Sequence, residues 1–424
     1  MTLDADSDGP TESSANADPL LAVEGLRTVF STDKEEIHAV DGIDFDVREG
    51  ETLGIVGESG SGKSVTARSI MGLVKSPGRI VDGSIRYRGE DLVGKSEDEL
   101  RAYRGGDIAM IFQDPMTSLN PVYTVGNQIE EALELHQGLS GSEATDEAAS
   151  LLESVNIPDA RRRLGEYPHE FSGGMRQRAL IAMALACDPE VLICDEPTTA
   201  LDVTTQAQIL ELLQDVQRER DLGMIFITHD MGVIAEIADR VGVMYAGEII
   251  ERAPVERLFA KPKHPYTRGL LESIPGRNPE AARLHTIEGD VPTATEPAAS
   301  CRFAPRCPKA IDGCDRVHPS AVAVDDADAD SAGTDGADDG AIDGHTVSCL
   351  LYPEDRSREW RLEGHRDGDS IDATDLEGAR TDGGTDETTS RGADATTSRG
   401  AGKATGDDAS ADTRDDATNE VIDE

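Results

Sequence analysis

Residues Gly57-Glu58-Ser59-Gly60-Ser61-Gly62-Lys63-Ser64 fit the spacing G-x-x-x-x-G-K-[ST]. Glycines at these positions let the backbone curl until successive N–H groups point inward, where they suit phosphate oxygens. A helix starting at the last glycine adds its positive end. Lys63 is then expected to reach the outer phosphates of a triphosphate and Ser64 to ligate Mg²⁺. A second group, Val191-Leu192-Ile193-Cys194-Asp195-Glu196, is an apolar run that delivers two carboxylates to its end. Asp195 is placed for the Mg²⁺ shell, mostly through water, and Glu196 for polarising an attacking water. Alone, such an acidic pair is as readily an ordinary solvated turn; downstream of a phosphate loop that reading recedes.

This chemistry needs a sheet that brings loop and carboxylates to one edge. Ile43, Phe45 and Val47 alternate with Asp44, Asp46 and Arg48, the pattern of a half-buried strand. Residues 53–56 read as a buried strand ending in the glycine-rich turn, with a helix to follow from about residue 62 to 72. Residues 191–194 and 224–228 are two more short apolar strands, separated by a helical stretch over Val203–Arg220. Strands alternating with helices predict an α/β fold, a parallel sheet covered on both faces. Residues 125–185 carry helical periodicity and few strand signals, and so predict an inserted helical subdomain.

The chain has 424 residues, with 84 Asp and Glu against 40 Lys and Arg, a formal net charge of -44. Repulsion from phosphate backbones argues against nucleic acid as a partner. The cationic residues are mostly Arg, with Lys confined to positions such as Lys34, Lys63 and Lys75. We read this acidic body as suited to a salt-rich cytoplasm, where screening relieves self-repulsion while carboxylates stay hydrated. No apolar run approaches the roughly 18 residues of a spanning helix. The start of the chain lacks the basic and apolar regions of a secretory signal. A cytoplasmic location follows as the expectation, with cysteines as metal ligands or buried thiols rather than disulfides. Residues 1–19 and 353–424 are acidic and poor in large apolar side chains, so both are expected to be disordered, and residues 325–343 to form a solvated loop.

With these motifs on hand, four further features make residues 20–254 resemble the ABC ATPase family. Phe171-Ser172-Gly173-Gly174-Met175-Arg176-Gln177 resembles its signature loop, with Phe171 and Met175 departing from the commonest wording L-S-G-G-Q. Gln113 in Phe112-Gln113-Asp114-Pro115 matches the Q-loop residue, Asp202 in Ala200-Leu201-Asp202 the D-loop, and His229 the switch histidine. The resemblance implies a P-loop NTPase cassette: a parallel core sheet, an antiparallel β subdomain and an inserted helical subdomain. It also implies ATP and Mg²⁺ as ligands. Glu196, His229, Gln113 and Lys63 would be catalytic, with Mg²⁺ held through Ser64, Gln113 and Asp195. The loop from Gly57 to Ser64, Val65 after it, and Ser172, Gly173, Gly174 and Asp202 would bind nucleotide. Phe30 is the aromatic expected to stack on the base. Each nucleotide would lie between one protomer's phosphate loop and its partner's signature loop.

Beyond about residue 257 the resemblance narrows. Lys263-His264-Pro265-Tyr266-Thr267-Arg268-Gly269-Leu270-Leu271, followed by Ser273-Ile274-Pro275, is similar to the C-terminal motif of oligopeptide and dipeptide importer ATPases. The run 112–121 points the same way. That branch implies a subunit at the cytoplasmic face of the membrane. Its partners would be a second, homologous ATPase in a heterodimer, two transmembrane permeases and, through them, an extracellular solute-binding protein. Importers of nickel or another small solute share much of this pattern, and a soluble ABC ATPase or a redox-sensing regulator are the alternatives. Cys301, Cys307, Cys314 and Cys349 suit tetrahedral thiolate ligation of a 4Fe-4S cluster or of zinc. Their spacing lacks the paired C-x-x-C of zinc ribbons and favours the cluster, with unligated thiols as the other reading. The expected divisions are residues 1–19, an ATPase domain at 20–256 with its helical subdomain at about 120–185, a Cys-bearing extension at 257–352, and the tail at 353–424.

Overall fold

The computed structural model describes residues 18–113, 118–199, 201–274, 286–324 and 344–352. The stretches expected to be disordered, apart from residues 18 and 19, and the 325–343 patch lie outside them.

The chain opens with an antiparallel pair, β1 (Leu21–Ser31) and β2 (Glu36–Val47). It then runs through β3 (Thr52–Val56) into helix α1 (Lys63–Ile70). β4 (Gly78–Tyr87) returns to β1 and pairs onward with β5 (Glu90–Asp91), completing a four-stranded antiparallel sheet in the order β2-β1-β4-β5. In β2 the alternation predicted for residues 43–48 holds for Ile43, Phe45 and Val47, all buried, but Asp46 is buried too.

Next come α2 (Glu97–Tyr103), β6 (Ile108–Ile111) and a run of helices: α3 (Val125–Gln137), α4 (Ser142–Ser154), α5 (Ala160–Arg163) and α6 (Gly173–Leu185). After these the chain alternates β7 (Val191–Asp195), α7 (Val203–Arg220), β8 (Gly223–Thr228), α8 (Met231–Ile237), β9 (Arg240–Tyr245) and β10 (Glu248–Pro254). Strands β9-β3-β8-β7-β6 pair in parallel, so all five end at one edge. Every residue of β3, β7, β8 and β9 is buried, as a sheet covered on both faces requires. β3, β7 and β8 contain the apolar runs 53–56, 191–194 and 224–228 that the sequence displays, whereas β9, which begins on Arg240, is not among those readings.

Helices α9 (Val255–Ala260) and α10 (Pro265–Glu272) follow, and the extension then adds β11 (Val322–Ala323) and β12 (Thr346–Val347) to the core sheet beyond β10. The sequence marks residues 257–352 as a Cys-bearing extension without saying how it packs. In the structure its strands continue the sheet, and His345, with its side chain 0% exposed, meets Glu251 of β10 through Nε2 at 2.7 Å. Among the described residues no helix is long and apolar enough to cross a membrane.

Candidate active site

The parallel pairing decides which residues meet. β3 feeds the glycine-rich loop, its neighbour β8 leads to His229, the next strand β7 ends at Asp195 with Glu196 following, and β6 leads to Gln113. Four chain segments far apart in sequence therefore deliver polar groups to one sheet edge, where ligands of open α/β sheets bind.

Helix α1 begins on Gly62, whose φ of 107° lies in the left-handed region, and no side chain caps it. A Cβ there would stand 2.3 Å from the Ala39 carbonyl oxygen, so the turn admits only glycine. The first-turn amides, at Lys63, Ser64 and Val65, have no partner within their own helix and remain available to an anion. α2 differs: Ser96 and Glu99 satisfy two of its orphan donors in a capping box. Lys63 is 4% exposed, and its Nζ donates to the carbonyls of Gly57 at 2.7 Å and Glu58 at 3.0 Å. Burial lowers its pKa, while Glu196, Asp195 and Glu58 pull the other way. The Ser61 hydroxyl is buried in the same loop without a hydrogen-bond partner. Ser59 and Gly60 are exposed at its tip, and the side chain of Val65 packs into the core below.

Ser64 Oγ donates to Asp195 Oδ1 at 2.9 Å. Asp195 is 1% exposed, and burial raises its pKa, with the Ser64 hydrogen bond opposing. A buried carboxylate and a hydroxyl at this separation, beside a phosphate cradle, are a donor set that fits Mg²⁺. Glu196 sits at the hub of the other groups. Gln113 Nε2 donates to its Oε2 at 2.9 Å, Thr199 Oγ1 donates to the same oxygen at 3.0 Å, and His229 Nδ1 is 3.4 Å from Oε1. The backbone of Glu196 is itself left-handed, φ 49°, and its N–H is held by the Ile227 carbonyl at 2.9 Å. Thr199 escaped the sequence reading; a Thr three residues after an acidic pair carries no distinguishing pattern.

Ser172 caps α6, its Oγ accepting from Met175 N–H at 3.3 Å, and both Ser172 and Gly173 are exposed. Asp202 caps α7, accepting from the Thr205 N–H at 3.0 Å and the Thr205 hydroxyl at 2.7 Å. These bonds hold its carboxyl below the usual range. A Cβ on Gly174 would lie 2.6 Å from Thr205 Cγ2. The starts of α6 and α7 thus meet at one solvent-facing surface. Phe30 is half-buried on β1 with its ring beside Gly78, and among the described residues no hydrogen bond or ring contact joins it to the hub.

All six cysteines are free. Burial pushes Cys301 up to about 12, and Cys307, Cys314 and Cys349 shift in the same direction. Cys349 also feels the charges of Cys301, Cys314 and Cys307, so the four share one neighbourhood. Against the expectation of a ligated metal, no group of three or more His, Cys, Asp or Glu side chains among the described residues is placed to hold a metal ion. In this packing Cys314 lies against Leu350, and Cys349 against Val322 and Val347, as small apolar groups. Cys194 is a core thiol, as expected, but Cys187 is only half-buried and lines a cavity beside Gln113; burial still pushes its thiol up to about 11.

The geometry has counterparts among known proteins. A family model described as "ABC transporter" matches residues 40–199, and one described as "Oligopeptide/dipeptide transporter, C-terminal region" matches residues 250–314. A peptide import ATP-binding protein of Brucella abortus (strain 2308) is 55% identical over 320 residues, covering 73% of this chain and 95% of the relative. The oligopeptide transport ATP-binding protein AppD of Bacillus subtilis (strain 168) is 49% identical over 341 residues, covering 80% of this chain and 99% of AppD. Among solved structures, the dimeric post-hydrolysis state of the ATP-binding cassette MJ0796 bound to ADP and Pi superimposes with a TM-score of 0.51. It is 28% identical and covers 55% of this chain and 98% of its own. A phosphate loop and a two-carboxylate hub at one sheet edge, carried by a chain that spans nearly the whole length of such relatives, place this protein in the ABC transporter ATP-binding family, in its oligopeptide/dipeptide branch.

Proposed function

We propose that this chain is the ATP-hydrolysing subunit of an importer of oligopeptides or dipeptides. The observation that carries the reading is the Glu196 hub, a carboxylate held by Gln113, Thr199 and His229 beside the Lys63 loop. The loop amides and Lys63 bind the β- and γ-phosphates of ATP. Ser64 and Asp195, with Gln113 beside them, would hold the Mg²⁺ that accompanies ATP, and bound there it would supply charge neutralisation at the phosphates. Glu196 accepts the proton of the attacking water, while His229 and Gln113 fix its carboxylate and report the state of the γ-phosphate. Phe30 is the aromatic we assign to the base.

The exposed Ser172-Gly173-Gly174 turn and Asp202 face a second ATPase subunit, a homologue of this one, so that nucleotide closes the pair and hydrolysis reopens it. Two permeases, fed by an extracellular solute-binding protein, anchor the assembly at the cytoplasmic face of the membrane. Affinity purification of the full chain from gently solubilised membranes is expected to bring down two membrane-spanning proteins and a second ATPase, with turnover stimulated by peptide-loaded binding protein. Recovery of the chain alone, or stimulation by sugars or nickel and not by peptides, would contradict peptide import.

For Cys301, Cys307, Cys314 and Cys349, which share one neighbourhood, we propose a 4Fe-4S cluster. Burial raises the pKa of all four thiols, and backbone N–H groups at Phe303, Lys309, Ile311 and Leu351 oppose that shift only in part, Ile311 N–H donating to Cys314 Sγ at 3.5 Å. Bound, such a cluster supplies a rigid cross-link of the extension or an electron-carrying centre. Anaerobic purification is expected to yield about four irons and four labile sulfides per chain; their absence leaves structural thiols.

A further inference from the structure

Two arginines lie between Cys301 and Cys307; Arg306 reaches the phosphate loop directly and Arg302 reaches the turn beside it. Arg306, its side chain 6% exposed, forks onto Glu58: one terminal nitrogen donates to Oε2 at 2.7 Å and the other to Oε1 at 3.1 Å. The guanidinium is held in place by the carbonyls of Glu288 at 2.9 Å and Ile287 at 3.2 Å, and it lies 5.7 Å from the centre of the Tyr245 ring. Glu58 is gripped a second time from α10, where the Tyr266 hydroxyl accepts its backbone N–H at 2.9 Å. Tyr266 is fully buried, with its ring 4.8 Å from Tyr245 and 5.4 Å from Phe303, so the hydroxyl has little freedom to move. Arg302 acts one step removed. It donates to the Ala246 carbonyl at 2.6 Å and to Asp41 Oδ2 at 2.6 Å, bracing the β9–β10 turn. Gly247 N–H of that turn holds the Ser61 carbonyl at 2.8 Å.

We propose that the C-terminal extension is a positioning brace for the phosphate loop, with Arg306 and Tyr266 fixing Glu58 and Arg302 supporting the turn that fixes Ser61. A loop of small residues must give up much conformational freedom to present its amides at once. Holding it from behind lowers that cost at the moment of binding, so the brace acts on nucleotide affinity. A charged pair read bidentately has the strength and directionality for this. Because both arginines lie on the segment bounded by Cys301 and Cys307, whatever fixes those thiols also fixes the brace. The inference rests on the ATP-binding reading above.

The test is calorimetric titration of the full-length chain with MgATP, comparing wild type with Arg306→Ala, Arg306→Lys, Tyr266→Phe, Glu58→Ala and the Arg306→Ala/Glu58→Ala double variant. Arg306→Ala and Glu58→Ala are each expected to weaken binding about tenfold. The double variant should be no weaker than either single one, and Arg306→Lys should recover part of the loss. Tyr266→Phe, which leaves one amide unpaired, should lose a few-fold. A merely structural arginine would lower Tm and leave the MgATP Kd unchanged. That result, or losses that multiply in the double variant, overturns the brace. Should Arg306→Ala not fold, Glu58→Ala carries the test from the more exposed side of the pair. A wild-type chain that does not bind MgATP would instead remove the ATP-binding reading itself.

Discussion

Glu196→Gln is expected to cut ATP turnover by about 10²–10⁴-fold while leaving MgATP binding intact. The amide preserves the shape of the side chain, and Thr199 and Gln113 can still donate to its remaining carbonyl oxygen, so the hub keeps its form. It cannot accept a proton from water. Binding survives because the loop amides, Lys63 and Ser64 belong to other elements. The measurement is steady-state phosphate release by the assembled transporter alongside equilibrium nucleotide binding. Turnover at the wild-type rate would remove Glu196 from the role of base, and loss of binding together with turnover would assign it to the cradle instead.

Arg240→Met should cost about 3–5 kcal/mol of stability, the range found when one partner of a buried charge network is removed. Arg240 is the first residue of β9, with its side chain 7% exposed, and it meets Asp46 of β2 and Glu51 just before β3. It donates to the Asp46 carbonyl at 2.8 Å, to both Asp46 carboxylate oxygens at 3.2 Å, and to Glu51 through Nε and at 3.0 Å through a terminal nitrogen. Burial works against its charge, but the two carboxylates outweigh burial and raise its pKa. Without the guanidinium, two carboxylates would be left facing each other where the antiparallel sheet meets the parallel one. Chemical denaturation of the variant should show the loss, and Asp46→Asn/Glu51→Gln in the same background should restore part of it. A shift under 1 kcal/mol would mean that water reaches these groups.

Arg240 also shows where sequence reading stops. Asp46 falls at an alternate position of β2 and reads as solvent-facing; only the approach of β9, almost two hundred residues later, encloses it. The motif residues behave differently. Gly62, Lys63 and Ser64 act through the backbone of one turn, and their chemistry depends on φ values and a helix start that local sequence dictates. Asp195 and Glu196 are likewise legible, because an apolar strand carries them.

The sequence by itself determined the phosphate loop, the two carboxylates, the alternation of strands and helices, and the family resemblance through them, since each is written in neighbouring residues whose spacing obeys one local geometry. Only tertiary structure decided that Thr199 joins the Glu196 hub, that Arg306 and Tyr266 hold Glu58, and that the extension's strands continue the core sheet. Those contacts join residues such as Glu58 and Arg306, 248 positions apart. At that separation no periodicity links the partners, and only the folded backbone brings them within hydrogen-bonding distance.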